Sequence, residues 1–130
     1  MAKGIVLVDL NGGLKMQCDL YNELNLKSMQ LDASIKQLRN TGREYAEAYT
    51  NYRIELAKEL VKLKDQGYAI TLAGDIARGK PQIARLKFDE IAKEAIYKAN
   101  QEAILALKLQ IKLIDAQISR EWGSAEKVAE

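Results

Sequence analysis

The chain has 130 residues, of which 48% are hydrophobic and 29% charged, with a formal net charge of +2 and no histidine. This length predicts one domain, and a single proline with only 6% aromatic residues favours long helices over a β-sandwich or barrel. The balanced charge argues against a concentrated basic face for nucleic acid, and the lack of histidine removes the commonest general base and metal ligand.

The first stretch of the chain differs from the rest in composition. Residues Gly4 to Asn11 resemble a short extended strand, which the turn signal at Gly12-Gly13 would end. The apolar run from Ile5 to Val8 is too short for a membrane span or a signal sequence. We therefore expect an extended N-terminal segment over residues 1–15 and a soluble, cytoplasmic protein. The single cysteine, Cys18, cannot form an internal disulfide and fits a reducing compartment.

From Met16 to Gln66 the sequence has the pattern of a long helix. Apolar and small residues recur at alternating steps of three and four, which is the spacing of a coiled-coil seam. Asn40-Thr41-Gly42 is the weak point, because glycine costs about 1 kcal/mol relative to alanine inside a helix. The spacing nevertheless passes through this tripeptide unshifted, so we predict one helix, bent there; the alternative is a turn that gives a three-helix bundle. The row comprises Tyr21, Leu24, Ser28, Leu31, Ile35, Leu38, Gly42, Tyr45, Tyr49, Tyr52 and Leu56.

A short connector is expected after this helix. Gly67 suits the left-handed position that ends a helix. Thr71 is a candidate cap for a short helix that Gly79 would close. The apolar connector residues are expected to cover the end of the hairpin, and they are Ile70, Leu72 and Ile76.

Pro81 suits the first turn of a second long helix, which we expect to end at Trp122, before Gly123. Trp122 is expected to pack against the first helix. The two long segments predict an all-α, antiparallel, coiled-coil-like hairpin over residues 16–123, followed by a tail over residues 124–130.

The second helix carries more apolar surface than one partner helix can cover. One row contains Ile104, Leu107, Ile111, Ile114 and Ile118, and a flanking row contains Leu105, Leu109, Leu113 and Ala116. Such excess apolar surface is typical of a contact with another chain. We therefore predict a homo-oligomer, most simply a dimer with a four-helix arrangement; a three-helix monomer is the alternative. The interface residues are expected to be Ile104, Leu105, Leu107, Leu109, Ile111, Leu113, Ile114 and Ile118.

No motif in the sequence indicates catalysis, a metal or a cofactor. The carboxylates have the spacing of solvent-facing residues, and no nucleophile has a histidine partner. The one local basic group contains Arg78, Lys80, Arg85 and Lys87, which could contact nucleic-acid phosphate or a protein partner. We expect the chain not to be an enzyme.

Three segments resemble small helical proteins encoded by tailed phages and prophages of Gram-positive bacteria. They are Ser34 to Ala48, Tyr97 to Ile104 and Gln110 to Gly123, within a resemblance that covers about Leu20 to Gly123. The resemblance implies a phage origin and names no site residues. We therefore expect a phage protein-protein interaction module that acts on a host or defence factor or on a DNA-metabolism protein. The alternatives are a nucleic-acid-binding accessory protein and a virion or assembly component.

Overall fold

A computed structural model describes residues 10–129 of the chain and the side chains of residues 18–123. Three helices account for nearly all of the described residues, and no strand occurs among them. They are α1 (Leu10–Asp65), α2 (Ile70–Gly79) and α3 (Pro81–Ala129). The long α1 packs against the long α3 in a hairpin-like arrangement, which confirms the predicted all-α hairpin.

The helices divide into two compact units. The terminal unit contains residues 10–35 and 102–129, and the central unit contains residues 36–101. In the central unit, Thr41 contacts Asn100 and Glu44 contacts Lys93, so α1 and α3 are antiparallel there.

Both ends of the predicted hairpin need correction. The helix α1 begins at Leu10, so Asn11-Gly12-Gly13 lies inside it and does not form the predicted turn. Likewise α3 continues past Gly123 to Ala129. A helical glycine costs only about 1 kcal/mol, which neighbouring helix formers offset, so none of these three glycines ends a helix. Most of the predicted extended segment lies outside the described residues.

Asn40-Thr41-Gly42 does not break α1, which is continuous through it, and the alternative of a turn is wrong. The absence of a side chain at Gly42 has a packing role. A Cβ atom built there would lie 3.1 Å from Cε1 of Tyr97 on α3, so glycine lets the tyrosine ring lie against the α1 backbone. The tripeptide is therefore a close-approach point between the two helices.

The predicted α1 seam is half right. Leu24, Leu31, Leu38, Tyr45, Tyr52 and Leu56 are buried or half-buried, as predicted. Between Leu20 and Ala48 the alternate positions lie one residue earlier than predicted, because steps of three and four fit either choice. The inner residues are Leu20, Lys27, Ser34, Thr41 and Ala48, whereas Tyr21, Ser28, Ile35 and Tyr49 are exposed and Gly42 is half-buried.

The seam of α3 keeps one heptad pattern from Ile83 to Glu121. Every member is buried or half-buried, and the steps alternate between three and four throughout. Its central part is polar and its C-terminal part is aliphatic. The members are Ile83, Leu86, Glu90, Lys93, Tyr97, Asn100, Ile104, Leu107, Ile111, Ile114, Ile118 and Glu121.

The end of α1 confirms the role predicted for Gly67. This residue has φ 95°, a left-handed value that glycine adopts without strain. Its N–H donates to the carbonyl of Lys64 at 3.0 Å, and the N–H of Tyr68 donates to the carbonyl of Leu63 at 3.2 Å. These two bonds form a Schellman motif, which satisfies carbonyls that the helix end leaves free.

The expected packing of α2 is partly wrong. Its N-cap is Ala69 and not Thr71, with no side-chain capping bond. Ile70 and Leu72 are exposed, although Ile76 packs against the core as predicted. The helix instead buries Ala73, Gly74 and Ala77, since a face of small residues lets it lie close to its neighbours. Together with Tyr52, Leu56, Leu63 and Ile83, the two alanines form the core of the central unit.

The junction between α2 and α3 is a single residue. Lys80 ends α2, donating its N–H to Ala77, and its carbonyl accepts the N–H of Ala84 at 2.8 Å to begin α3. Pro81 is the first residue of α3, as predicted, where the missing N–H costs no helical bond.

Candidate interaction surface

The structure divides the eight residues predicted to form an oligomer interface. Ile104 and Ile118 are buried, and Leu107, Ile111 and Ile114 are half-buried, so these five residues belong to the seam that α3 makes with α1. Within the terminal unit these five side chains therefore already pack against α1 of the same chain. The three leucines that remain are exposed.

These three leucines, Leu105, Leu109 and Leu113, are named here the outer row. Their exposed fractions are 59%, 58% and 60%. Leu109 lies two residues from both Leu107 and Ile111, which turns its side chain about 200° away from theirs. The outer row is thus an apolar face on the side of α3 opposite the seam.

An open groove adjoins the outer row in the terminal unit. Its volume is about 730 Å³, and Leu109 forms part of its wall. Leu24 and Ile111 supply apolar lining, whereas Lys108, Lys112 and Asp115 supply charged lining. The outer row therefore adjoins a concave surface whose border carries both basic and acidic side chains.

The predicted basic group is partly neutralised. Nζ of Lys80 lies 2.8 Å from Oε2 of Glu59, and Nζ of Lys87 lies 2.9 Å from Oε2 of the buried Glu90. Arg78 and Arg85 are exposed and form no ion pair among the described residues. Only two of the four predicted cations are thus presented without a carboxylate partner in the described part of the chain.

The region around α2 still has an excess of positive charge. Residues 58–87 contain seven lysines and arginines and three acidic residues. Exposed apolar side chains accompany them: Ile70 is 72% exposed and Phe88 is 73% exposed. A small cleft of about 190 Å³ lies between α1 and α2, lined by Leu60, Val61, Lys64, Ile70 and Ala73.

Polar groups meet inside the seam of the central unit, a feature that the sequence reasoning missed. The Thr41 hydroxyl lies 2.8 Å from Oδ1 of Asn100 and 3.2 Å from the Leu38 carbonyl oxygen, and it can donate to one of them at a time. The rings of Tyr45 and Tyr97 stack with centroids 6.0 Å apart. The signal was available, because the heptad of α3 continues through Tyr97 and Asn100.

A second polar set surrounds Glu90. Lys87 pairs with this buried carboxylate, and its Nζ lies 4.9 Å from the centroid of the Tyr52 ring. The hydrogen bond to Glu90 raises the pKa of Lys87. No buried polar side-chain atom of the described residues lacks a partner. The arrangement is therefore a satisfied structural network.

Tyr45, Glu94 and Lys98 form a neighbouring set, in which Tyr45 and Glu94 are half-buried and Lys98 is exposed. Nζ of Lys98 lies 2.6 Å from Oε1 of Glu94, and this hydrogen bond lowers the pKa of Glu94 and raises that of Lys98. Partial burial, followed by the charges of Glu94 and Glu90, raises the pKa of the Tyr45 phenol. None of these shifts prepares a group for proton transfer near neutral pH.

Trp122 contacts α1, as predicted. Its Nε1 donates a hydrogen bond of 3.2 Å to the hydroxyl of Tyr21. Half of the tryptophan nevertheless remains exposed. It closes the seam of the terminal unit on one side and presents the rest of its ring to solvent.

The described residues include no group of three or more side chains suited to holding a metal ion. None of the described helices is both long enough and apolar enough to cross a membrane. Comparison of the chain with protein-family models, curated proteins and solved structures gives no match.

Proposed function

We propose that the chain is a non-enzymatic helical module that binds other protein chains through the outer row of α3. The observation that carries this proposal is the exposure of Leu105, Leu109 and Leu113 on a helix whose opposite face is already covered by α1. A helix that is apolar on two faces is typical of a bundle with more helices than one hairpin supplies. Self-association is the simplest form of that binding.

The energy available from the outer row is modest. Full burial of a leucine side chain contributes about 1.5–3 kcal/mol, and each of these three is more than half exposed. The leucines of two chains together offer several kcal/mol before the cost of association is subtracted. We therefore expect the association to be weak and reversible.

The resemblance to phage helical proteins supports a biological setting for this module. In that setting the chain is encoded by a phage or prophage and binds a host or defence factor, or a phage protein of DNA metabolism. Assembly into the virion is the alternative within the same class, and analysis of purified virions for the chain distinguishes it.

The test compares three proteins by size exclusion with light scattering from about 10 to about 500 µM. The wild-type chain is expected to move from monomer to oligomer across this range. Replacement of Leu105, Leu109 and Leu113 by glutamine should abolish that change while helicity is retained. The matched control carries Leu26→Gln and Met29→Gln, two exposed apolar residues of α1. A wild-type chain that stays monomeric, or a triple variant that associates like the wild type, contradicts the proposal.

A second candidate function is nucleic-acid binding by the region around α2. The seven basic against three acidic residues between positions 58 and 87 favour it. Binding of an oligonucleotide should then weaken with salt and be lost when Arg78 and Arg85 become glutamate. An equal loss of binding in the Arg39→Glu/Arg43→Glu control would assign the affinity to general charge and reject this candidate.

A further inference from the structure

Two leucines of the outer row, Leu109 and Leu113, belong to a longer pattern on α3, named here the second seam. Its residues follow one another at steps of four, three, four, three and four, the spacing of a coiled-coil contact. All six are exposed in the terminal unit. They are Glu102, Ala106, Leu109, Leu113, Ala116 and Arg120.

The second seam has the same spacing when it is followed from either end. Leu109 and Leu113 lie two residues from Ile111, Ala106 and Ala116 lie five residues from it, and the two charged ends lie nine residues from it. The two inner pairs are of identical residue type, and the outermost pair, Glu102 and Arg120, has opposite charges. A surface with this symmetry is complementary to a second copy of itself in the antiparallel orientation.

We infer that the outer face of α3 binds α3 of a second copy, antiparallel, about a twofold axis at the level of Ile111. This inference rests on the proposed function and names the occupant and the alignment. In this pairing Leu109 meets Leu113 of the partner subunit, and Ala106 meets the partner's Ala116. The alanines allow the two helices to approach closely, so the leucines between them become buried. An isologous contact of this kind closes as a dimer.

Charge decides the orientation. The antiparallel alignment places Glu102 opposite the partner's Arg120 at both ends of the contact. A parallel alignment in the same register places Glu102 against its own copy and Arg120 against its own copy, which is repulsive at both ends. Within the chain Arg120 donates to Oε1 of Gln117 at 2.8 Å, and neither Glu102 nor Arg120 forms an ion pair among the described residues. Both charges are therefore available to a partner.

One contact opposes this pairing. Lys112 flanks the second seam beside the axis, so it lies near Lys112 of the partner subunit. Its long side chain is exposed and can direct the ammonium group into solvent, which keeps the repulsion small. Lys112→Gln should tighten the dimer by about threefold, because it removes one like-charge contact at the rim.

The test uses sedimentation equilibrium of the full-length chain with single charge reversals. Glu102→Arg and Arg120→Glu should each weaken the dimer by about tenfold, because each converts two attractive contacts into two repulsive ones. The double variant restores both pairs and should regain the wild-type affinity. An equimolar mixture of the two single variants should form heterodimers, since every end contact in the mixed dimer joins opposite charges. Glu23→Arg, an equal charge change on an exposed site of α1, is the control.

The outcomes separate this inference from the proposed function. A dimer that needs the outer row but is unaffected by Glu102→Arg and Arg120→Glu overturns the antiparallel alignment and leaves the interaction module intact. A chain that remains monomeric, or a dimer that does not need the outer row, overturns both. Weakening by both single variants, with recovery in the double variant and in the mixture, supports the alignment.

Discussion

The terminal unit and the central unit are built from the same two helices but have different seams. In the terminal unit α3 contributes an almost uniform row of isoleucine and leucine, from Ile104 to Ile118. In the central unit the corresponding positions of α3 include Glu90, Lys93 and Asn100. A uniform aliphatic seam stabilises a helix pair but does little to fix its alignment, whereas a polar residue in a seam specifies alignment at a cost in stability.

This difference suggests a division of roles. Thr41 and Asn100 meet across the central unit, and Gly42 accepts the ring of Tyr97 beside them, so the central unit fixes how α1 and α3 are aligned. In the terminal unit the α3 side of the seam is largely aliphatic, and α3 also carries the second apolar face. Alignment within the chain and binding between chains would thus depend on separate residues, which mutation can distinguish.

The largest effect is expected in the core of the central unit. Ile83 is 1% exposed, so Ile83→Ala should leave a cavity and lower the free energy of unfolding by about 2–5 kcal/mol. Ile91→Ala removes the same atoms from a residue of the same helix that is 55% exposed, and a change below about 1 kcal/mol is expected. Urea unfolding followed by circular dichroism measures both. Similar losses in the two variants would contradict the assigned core.

The close approach at Gly42 should give the next largest effect. Leucine there would meet the Tyr97 ring, so Gly42→Leu should lower stability by about 1–3 kcal/mol despite the better helix propensity of leucine. At Gly123 a Cβ atom would meet nothing within 4 Å, so Gly123→Leu should be neutral or stabilising. Thermal unfolding of the pair gives the comparison. A stabilised Gly42→Leu variant would show that the helices do not touch at this point.

The hydrogen bond across the central seam should contribute less. Thr41→Val keeps the shape of the side chain and removes the hydroxyl beside Asn100, so a loss of about 1 kcal/mol is expected. Thr50→Val serves as the control, because its hydroxyl bonds only the Ala46 carbonyl at an exposed site. A double-mutant cycle with Asn100→Leu should give a measurable coupling energy. If the two changes in the free energy of unfolding are strictly additive, Thr41 and Asn100 do not fix the alignment of α1 and α3.

Much of this architecture follows from the sequence, because the 3–4 spacing of apolar residues persists through α1 and α3. The choice of the inner α1 row did not follow, since Ser34 and Ile35 satisfy the spacing equally and only contact with α3 decides between them. The prediction of how α2 packs was partly wrong for a related reason. Hydrophobicity favours burial of Ile70 and Leu72, but the available space suits Ala73 and Ala77.

The candidate site was predictable in part. The leucines of the outer row were identified from their excess over one seam, whereas Ile104 and Ile118 were included although the chain itself buries them. Glu102 and Arg120 were missed, because each reads as a solvated charge when taken alone. Their relation becomes visible only when the outer face is defined and its spacing is read in both directions.

The smallest effect expected is the pH dependence of the central unit. The hydrogen bond from Lys80 lowers the pKa of Glu59, and that from Lys98 lowers the pKa of Glu94. A carboxyl with a lowered folded-state pKa contributes stability above its unfolded pKa and loses it as the pH falls through the folded value. Stability should therefore decline below about pH 4.5, the unfolded carboxyl value.

At alkaline pH the stability is expected to change in the opposite direction, and to fall as the pH rises. The pKa values of Tyr45, Lys87 and Lys98 are raised, so their contribution is present below the unfolded values and is lost as the pH rises through the folded ones. Urea midpoints across the pH range test both limbs. Glu59→Gln should flatten the acid limb, whereas Glu47→Gln, whose exposed pair with Arg43 spans 3.9 Å, should leave it unchanged. If the Glu59→Gln variant loses stability at low pH as the wild type does, the contact between Glu59 and Lys80 does not contribute to the acid dependence.

Cross-linking between copies tests the central claim most directly. In a background in which the exposed Cys18 is replaced by serine, Leu109→Cys and Leu113→Cys chains are mixed in equal amounts and oxidised, and the linked peptides are identified by mass spectrometry. Antiparallel pairing places positions 109 and 113 of different chains opposite each other, whereas two copies of position 109 lie about 6 Å apart along the axis. We predict that the mixed 109–113 disulfide predominates. Predominance of 109–109 and 113–113 links, or the absence of any link, would contradict an antiparallel dimer formed through the second seam.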